Sequence, residues 1–190
     1  VNNIHKCILA TLATLKIKYP SIKVHLPENL YFITSQELLD IYPNLSSKER
    51  EYEITKEHKA VFIIGIGDKL SNGQAHDGRA PDYDDWKLNG DLIYYHEVLD
   101  CALEISSMGI RVDADSLIYQ LETSNHTDRM RYRYHQMILN NELPYTIGGG
   151  IGQSRLCMLL MGKAHIGEVQ SSLWDEYTLK LAKENGIIIL

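Results

Sequence analysis

The segment that decides the fold reads Gly148-Gly149-Gly150-Ile151-Gly152-Gln153-Ser154-Arg155. The pattern around it predicts an apolar strand near 145–147 and an apolar helix from about 152 to 161. Glycines let a ligand approach the backbone closely, and a helix N-terminus offers unpaired N–H groups to an anion. Arg155 would project from the first helical turn, where its planar guanidinium can stack on a base or clamp a phosphate.

This segment does not fit either of two common nucleotide-binding motifs. The dinucleotide fingerprint lacks its third glycine, and no G-K-[ST] follows, since Gly162-Lys163-Ala164 is the nearest approach to a P-loop. A glycine-rich turn that only tightens the joint between a strand and a helix explains the spacing equally well. On its own, the segment leaves a ligand site and a structural turn as open alternatives.

A second candidate site lies in the polar stretch from Gly67 to Asn89, which we predict to be one long loop. It contains Arg79-Ala80-Pro81-Asp82-Tyr83-Asp84-Asp85-Trp86, preceded by His76 and Asp77. Its carboxylates can bind an amino group, a ribose hydroxyl or a metal, although their order does not fit an EF-hand. The alternative is an acidic surface turn, and no Ser/His/Asp arrangement is recognisable.

A third candidate site is the stretch Glu104-Ile105-Ser106-Ser107-Met108-Gly109-Ile110-Arg111. On a strand, side chains alternate, so Glu104 and Ser106 should share one face. An acid beside a hydroxyl, with Arg111 a few residues on, can hold Mg²⁺ and a polyphosphate together. A strand end with a solvated salt bridge is the alternative.

The pattern of apolar residues predicts one α+β domain with an antiparallel sheet flanked by helices. Strands are predicted at 30–33, 60–66, 91–96, 99–106 and 145–147. Helices are predicted from Ile4 to near Pro20, after an N-cap at Ser35, after Ser46 and Ser47, at 115–121, at 129–140 and at 152–161.

The composition is that of an ordinary soluble domain. Nineteen basic and twenty-five acidic residues give a net charge of −6, which argues against a broad nucleic-acid or anionic-membrane surface. Cys7, Cys101 and Cys157 form neither a disulfide framework nor a zinc pattern, which favours a reducing, cytoplasmic setting. No apolar run approaches the roughly 20 residues of a membrane helix. A chain that begins at Val1, without an initiator Met, is expected to be a fragment.

Taken together, the three segments resemble the aspartate–ammonia ligase family, the asparagine synthetases of type A, which are related to the class II aminoacyl-tRNA synthetases. The resemblance runs in order from about residue 30 to 174, and its joint occurrence makes it specific. The matching stretches are 35–39, 65–67, 76–77, 79–86, 88–91, 104–115, 146–156 and 165–170.

The resemblance implies a class II synthetase-like sheet, of which residues 1–190 would be the C-terminal part of a single catalytic domain. Family members carry a further N-terminal region with the first two class II motifs, so the 190 residues alone are expected to be inactive. The connection Asp85-Trp86-Lys87-Leu88-Asn89-Gly90 is also shorter than in the family.

The implied activity is the synthesis of asparagine from aspartate and ammonia through a β-aspartyl adenylate, with ATP and Mg²⁺, in a cytoplasmic homodimer. The resemblance implies roles for seven residues. The catalytic pair would be Asp84 and Arg155; ATP would be bound by Glu104, Ser106, Arg111 and Arg155, with Glu104 holding the metal; and aspartate would be bound by Arg79, Asp84 and Ser107.

Two other functions remain open at this stage. One is an aspartyl- or asparaginyl-tRNA synthetase core, against which the acidic charge balance weighs. The Tyr-rich stretch Arg131-Tyr132-Arg133-Tyr134-His135 could stack on bases, but a half-buried amphipathic helix explains it better. The other is a non-catalytic paralogue that binds aspartate or a nucleotide. Such a paralogue would be expected to have lost catalytic residues. The presence of Glu104, Ser106, Arg111 and Arg155 argues against it.

Overall fold

A five-stranded sheet organises the computed structural model, which describes residues 1–190. The strands lie in the order β1-β2-β3-β4-β5; β1 and β2 are parallel, and every other neighbouring pair is antiparallel. The sheet is therefore mixed, and the prediction of an antiparallel sheet is wrong for its first pair. The strands are β1 (Tyr31–Thr34), β2 (Ala60–Ile64), β3 (Asp84–His96), β4 (Cys101–Arg111) and β5 (Ile147–Ile151).

Seven α-helices and two short 3₁₀ helices surround this sheet. The α-helices are α1 (Asn2–Lys18), α2 (Ser35–Ile41), α3 (Ser47–His58), α4 (Ala114–Thr123), α5 (Arg133–Leu139), α6 (Gln153–Met161) and α7 (Glu176–Glu184), and the 3₁₀ helices are Thr127–Arg131 and Ile166–Glu168. No helix has the length and apolar character needed to cross a membrane.

The apolar run of β2 supplies two separate cores because its side chains alternate between the faces of the sheet. Ala60 and Phe62 join a cluster with Ile8 and Leu12 of α1 and Leu159 and Leu160 of α6. On the opposite face, Val61 and Ile63 join a cluster with Leu38 of α2 and Ile54 of α3. Each fully buried Leu or Ile contributes about 1.5–3 kcal/mol. The sheet is thereby covered on both faces, as predicted for β2.

Two capping boxes start the helices that cover one face. At the start of α3, the Ser46 hydroxyl accepts from the backbone N–H of Glu49, and the backbone N–H of Ser46 donates to the Glu49 carboxylate. Thr34 and Glu37 do the same for α2. The predicted start of α3 is confirmed. The predicted N-cap of α2 at Ser35 is wrong by one residue, because it is the hydroxyl of Thr34 that accepts a hydrogen bond from the third N–H of the helix, that of Glu37.

Four further sequence predictions are wrong in extent, and one helix is not predicted from the sequence. Strand β3 begins at Asp84, so the predicted loop from 67 to 89 ends six residues early, and β4 runs on to Arg111. The helix predicted at 129–140 is broken at Tyr132, whose backbone is extended (φ −76°, ψ 148°). The triple glycine lies within β5, and α7 forms a last helix beyond α6.

Candidate active site

An open cavity of ≈ 540 Å³ lies where β4, β5 and the start of α6 meet. It brings together five of the seven predicted site residues: Asp84, Glu104, Ser106, Ser107 and Arg155. The cavity walls also include Tyr83, Gly149, Gly150, Gly152, Gln153, Ser154, Ile166 and Gln170. A slightly larger cavity of ≈ 580 Å³, between α1, the β3–β4 turn and the end of α6, contains none of the seven and lacks their chemistry.

The glycines of β5 have two different functions in this wall. A Cβ on Gly149 would lie 2.6 Å from Cβ of Met108 and 2.9 Å from the Ser107 carbonyl, so β4 and β5 can pair this closely only with glycine there. A Cβ on Gly150 would meet nothing within 4 Å, because this residue borders the open cavity. The structural and the ligand-related explanations of the triple glycine therefore apply to different residues.

The N-terminus of α6 opens into the cavity. Gly152 is the N-cap and provides no side-chain hydrogen bond to the first turn. Its own N–H donates to the Ile105 carbonyl at 2.8 Å, which fixes the helix start against β4. The first N–H groups of a helix have no partner within the helix and carry a partial positive charge, so they favour an anion here.

Arg155 stands in the first turn of α6, at the mouth of the cavity. One guanidinium nitrogen donates to the Glu104 carbonyl at 3.2 Å and lies 3.9 Å from the Glu104 carboxylate. The side chain is 51% exposed and makes no other hydrogen bond. Most of its planar face and its donors therefore remain available to a ligand.

Glu104 is the only acid of β4 and lies between charges of both signs. Burial and, second, the negative charge of Asp91 raise the pKa of its carboxyl above the ordinary value. The positive charges of Arg155, Arg79 and Lys48 oppose this increase. Because burial disfavours the charged form of the Glu104 carboxyl, a bound cation would stabilise that form. Glu104 is therefore suited to bind a cation.

A β-bulge at Ile105 separates Glu104 from Ser106. Leu92 faces Ser106, but Ile93 faces Glu104, so Ile105 is an extra residue in β4. The simple alternation on which we paired Glu104 with Ser106 is interrupted here. The buried Ser106 hydroxyl donates to the Gly150 carbonyl at 2.8 Å and holds β5, whereas the Ser107 hydroxyl has no partner within the chain.

Arg111 lies outside the cavity wall, behind Asp84. It forms an ion pair with Asp84, donates to the Tyr83 hydroxyl at 2.9 Å, and its guanidinium lies 3.8 Å from the centre of the Tyr83 ring. A Cβ on Gly148 would come within 2.5 Å of this guanidinium. The structure thus places Arg111 where it orients Asp84 and Tyr83, and not beside Glu104 as the sequence suggested.

Arg79 also lies outside the wall, where it forms an ion pair with Asp91. Asp91 is buried, and its second carboxylate oxygen has no hydrogen-bond partner. In the sheet, Asp91 faces Ser107. Sequence reasoning missed Asp91 as the partner of Arg79, although an acid at the head of an apolar strand was a signal that could have identified it.

The donor set fits Mg²⁺ bound together with a polyphosphate. The chain has no group of three or more His, Cys, Asp or Glu side chains arranged to hold a metal ion alone. Mg²⁺ at nucleotide sites keeps several waters and takes one or two carboxylates plus phosphate oxygens. Glu104, with its raised carboxyl pKa, is the residue that fits this requirement, and the unpartnered oxygen of Asp91 adds a second acidic group nearby.

With this geometry established, comparison with known proteins identifies the family. The model of the family "Aspartate-ammonia ligase" matches residues 1–186. The chain belongs to this family. The aspartate–ammonia ligase of Ligilactobacillus salivarius is 62% identical over 174 residues, which cover 91% of this chain and 52% of the relative. That of Clostridium perfringens is 56% identical over 190 residues, which cover 100% of this chain and 56% of the relative.

Solved structures show that this ligase-family chain shares its fold with tRNA synthetases. The aspartyl-tRNA synthetase from Entamoeba histolytica matches with a TM-score of 0.58 and 16% identity, covering 93% of this chain and 41% of the other. The asparaginyl-tRNA synthetase of the same organism, in complex with asparaginyl-adenylate, gives a TM-score of 0.56 and 19% identity, covering 88% and 39%. The predicted α+β, class II synthetase-like fold is confirmed.

This chain spans about half the length of the curated aspartate–ammonia ligases it matches. Its sheet and cavity therefore represent part of what the relatives contain. The roles of the seven predicted residues remain predictions, which the arrangement of the cavity makes specific enough to test.

Proposed function

We propose that the protein containing this chain synthesises asparagine from aspartate and ammonia, with ATP, through a β-aspartyl adenylate. One observation carries the proposal: Glu104, Arg155 and the open N-terminus of α6 surround a single cavity in a chain of the aspartate–ammonia ligase family. A carboxylate to hold a metal, a guanidinium and free N–H groups are the groups that bind a nucleoside triphosphate.

The chemistry needs ATP because a carboxylate reacts poorly with ammonia. In the first step the side-chain carboxylate of aspartate attacks the α-phosphorus of ATP, forms a P–O bond and releases pyrophosphate. In the second step ammonia attacks the activated carbonyl, the C–O bond to AMP breaks, and one proton is lost. Catalysis of the first step rests mainly on positioning and charge neutralisation.

The nucleotide end of the cavity has three groups with separate roles. Arg155 stacks on adenine or contacts the phosphates with its exposed guanidinium. The N–H groups at the start of α6 face a phosphate oxygen. Glu104 holds Mg²⁺, which neutralises negative charge on the phosphates when bound. Ser106 supports this end indirectly, because its hydroxyl fixes the Gly150 carbonyl and hence β5.

The aspartate end lies towards Asp84 and Ser107. Arg79 binds a carboxylate of aspartate once its guanidinium exchanges its pairing with Asp91, and Ser107 supplies a free hydroxyl. Asp84 is a buried acid aligned by Arg111 and can orient the amino group of aspartate or the incoming ammonia.

We further propose that the protein is a cytoplasmic homodimer. Residues 1–190 would form the C-terminal part of one catalytic domain, which contains both ends of the cavity.

The test is an assay of the protein containing this chain, at its full length, with ATP, Mg²⁺ and aspartate. AMP and asparagine should form together, only with ammonium present, and without tRNA. Binding of aspartate or ATP without product would instead indicate a non-catalytic paralogue, and a requirement for tRNA would indicate a synthetase.

Replacing Arg155 by alanine should raise the KM for ATP on the order of tenfold or more, because the exposed guanidinium provides the largest free cationic surface at the cavity. The KM for ammonia should change by less than about twofold. Steady-state kinetics with each substrate varied in turn measure both constants.

Arg129→Ala is the matched control for this prediction. Arg129 is likewise paired with an acid, since it donates to the carboxylate of Asp82 at 3.0 Å, but it does not line the cavity. Its loss should leave both KM values unchanged. Equal increases for ATP and ammonia in Arg155→Ala would rule out the nucleotide role.

A further inference from the structure

A cluster formed by Lys48 and Glu51 of α3 and His76 of the loop between β2 and β3 lies outside the cavity and has no part in the proposed chemistry so far. Nε2 of His76 lies 3.0 Å from a carboxylate oxygen of Glu51, and Nζ of Lys48 lies 3.0 Å from both oxygens of the same group. The side chains of His76 and Glu51 are only 1% and 8% exposed. A carboxyl group at such depth requires hydrogen-bond partners, and this one has two.

The cluster connects α3 to the loop that carries Arg79. His76 belongs to this loop, and the next residue, Asp77, lies 3.5 Å from Nζ of Lys48 and 3.8 Å from the Arg79 guanidinium. Arg79 in turn pairs with Asp91. A continuous series of ion pairs thus runs from Glu51 on α3 to Asp91 on β3.

The helix and the loop that these ion pairs join differ in rigidity. Helix α3 is anchored by buried Ile54, one turn after Glu51, in the core cluster of that face. The segment from Gly65 to Tyr83 contains no helix and no strand of the sheet. Because such segments are held by few backbone bonds, side-chain anchors determine where their functional groups lie. His76 is the buried polar side chain nearest in sequence to Arg79, three residues away.

From this geometry we infer that Glu51 and His76 are positioning residues, which hold Arg79 beside Asp91, behind the aspartate end of the cavity. The inference rests on the proposed function and deepens it, because it names the residues outside the cavity that set affinity for the amino-acid substrate. Lys48 belongs to the same device: it ties Glu51 to Asp77 and contributes positive charge next to Glu104.

A second pair of a histidine and a carboxylate elsewhere in the chain provides a control. Nε2 of His135 lies 3.0 Å from the carboxylate of Asp82, the same distance as in the pair of His76 and Glu51. The His135 side chain is also buried, and in both rings Nδ1 has no partner. This second pair fastens α5 to the loop, but neither residue contacts Arg79 or lines the cavity.

The experiment is a double-mutant cycle on the full-length protein, with the KM for aspartate and for ATP measured in each variant. His76→Ala should raise the KM for aspartate on the order of tenfold with little change in that for ATP. Arg79→Ala should raise it at least as much. If His76 acts through Arg79, adding His76→Ala to Arg79→Ala should cost less than about a further twofold.

Two further variants separate positioning from a general loss of structure. His76→Gln keeps an N–H donor near the place of Nε2 and should restore the KM for aspartate to within about threefold of wild type. His135→Ala should leave both KM values within about twofold of wild type, even where it lowers the melting temperature. Additive effects in the cycle, or equal increases in both KM values, would overturn the inference.

If the wild-type protein forms no asparagine, the proposed function is wrong, but the positioning of the loop by His76 is still untouched. A second measurement therefore tests the inference without relying on activity. Hydrogen exchange in residues 76–80 should be faster in His76→Ala than in wild type and unchanged in His135→Ala. Unchanged exchange in His76→Ala would show that His76 does not anchor the loop, whatever the protein catalyses.

Discussion

Replacing Glu104 by glutamine is expected to lower asparagine synthesis by about three orders of magnitude in kcat/KM. The amide has the same shape but cannot neutralise a divalent cation, and the loss of charge stabilisation by a metal is worth several kcal/mol. About 4 kcal/mol corresponds to about a thousandfold in rate. The measurement is the formation of AMP and asparagine at saturating and at limiting Mg²⁺.

The substitution should not act by unfolding the protein. Because burial and Asp91 raise the pKa of the Glu104 carboxyl, the folded state binds its proton more tightly than the unfolded state. The stability this group contributes is thus present below its ordinary pKa and is lost as the pH rises through the raised value. At pH 7 a neutral amide should therefore be as stable as the wild type, or more so.

The same shift gives the pH dependence of the wild type. Mg²⁺ requires the ionised carboxylate, so kcat/KM for ATP should fall as the pH is lowered through the raised pKa of Glu104. Glu97→Gln, the same change at an exposed acid beyond β3, is the control and should leave activity unchanged. A Glu104→Gln protein with more than a tenth of wild-type activity would contradict the metal role.

The parts of the fold that could be predicted are those in which local chemistry and packing agree. The continuous apolar run of β2, and Ser46 followed three residues later by Glu49 at the start of α3, each have a physical cause within a few residues of sequence. Arg155 at the start of α6 was found in the same way, because an apolar helix follows a run of glycines.

The start of β3 could not be predicted because its partners are distant side chains. Asn89 bonds both the N–H and the carbonyl of Ile66, at 2.8 and 2.7 Å. Gln120 of α4 accepts from the Trp86 N–H and donates to the carbonyls of Pro81 and Asp84. Buried polar residues satisfied in this way give a polar strand, which periodicity in a single sequence cannot distinguish from a loop.

Prediction of the site from the sequence has the same limit, because distant contacts cannot be recognised. The sequence identified the acid, the guanidinium and the glycines that line the cavity, because each belongs to a residue type with obvious chemistry. It could not show that a bulge at Ile105 separates Glu104 from Ser106, nor that Asp91 pairs with Arg79. The bulge depends on the register of β3 and β4, and the ion pair depends on the path of the loop that carries Arg79. Both are set by tertiary contacts.

Gly67→Ala should destabilise the protein by about 4 kcal/mol, the sum of a strained backbone and an overpacked contact. Gly67 has φ +122°, and a Cβ there would lie 2.5 Å from the ring of Trp86. Trp86 is buried and its indole N–H donates to the Ala80 carbonyl at 3.3 Å, so the ring cannot move aside without disturbing the residue next to Arg79.

Gly73→Ala separates the two causes. Gly73 has φ +80°, but a Cβ there would meet nothing within 4 Å, so only the backbone term of about 1 kcal/mol applies. In thermal unfolding, Gly67→Ala should lower the melting temperature by about 10 °C and Gly73→Ala by only a few degrees. Equal losses would mean that backbone strain alone sets the cost. If the Trp86 contact sets it, Gly67→Ala should also raise the KM for aspartate, because the loop that carries Arg79 is fastened to the same ring.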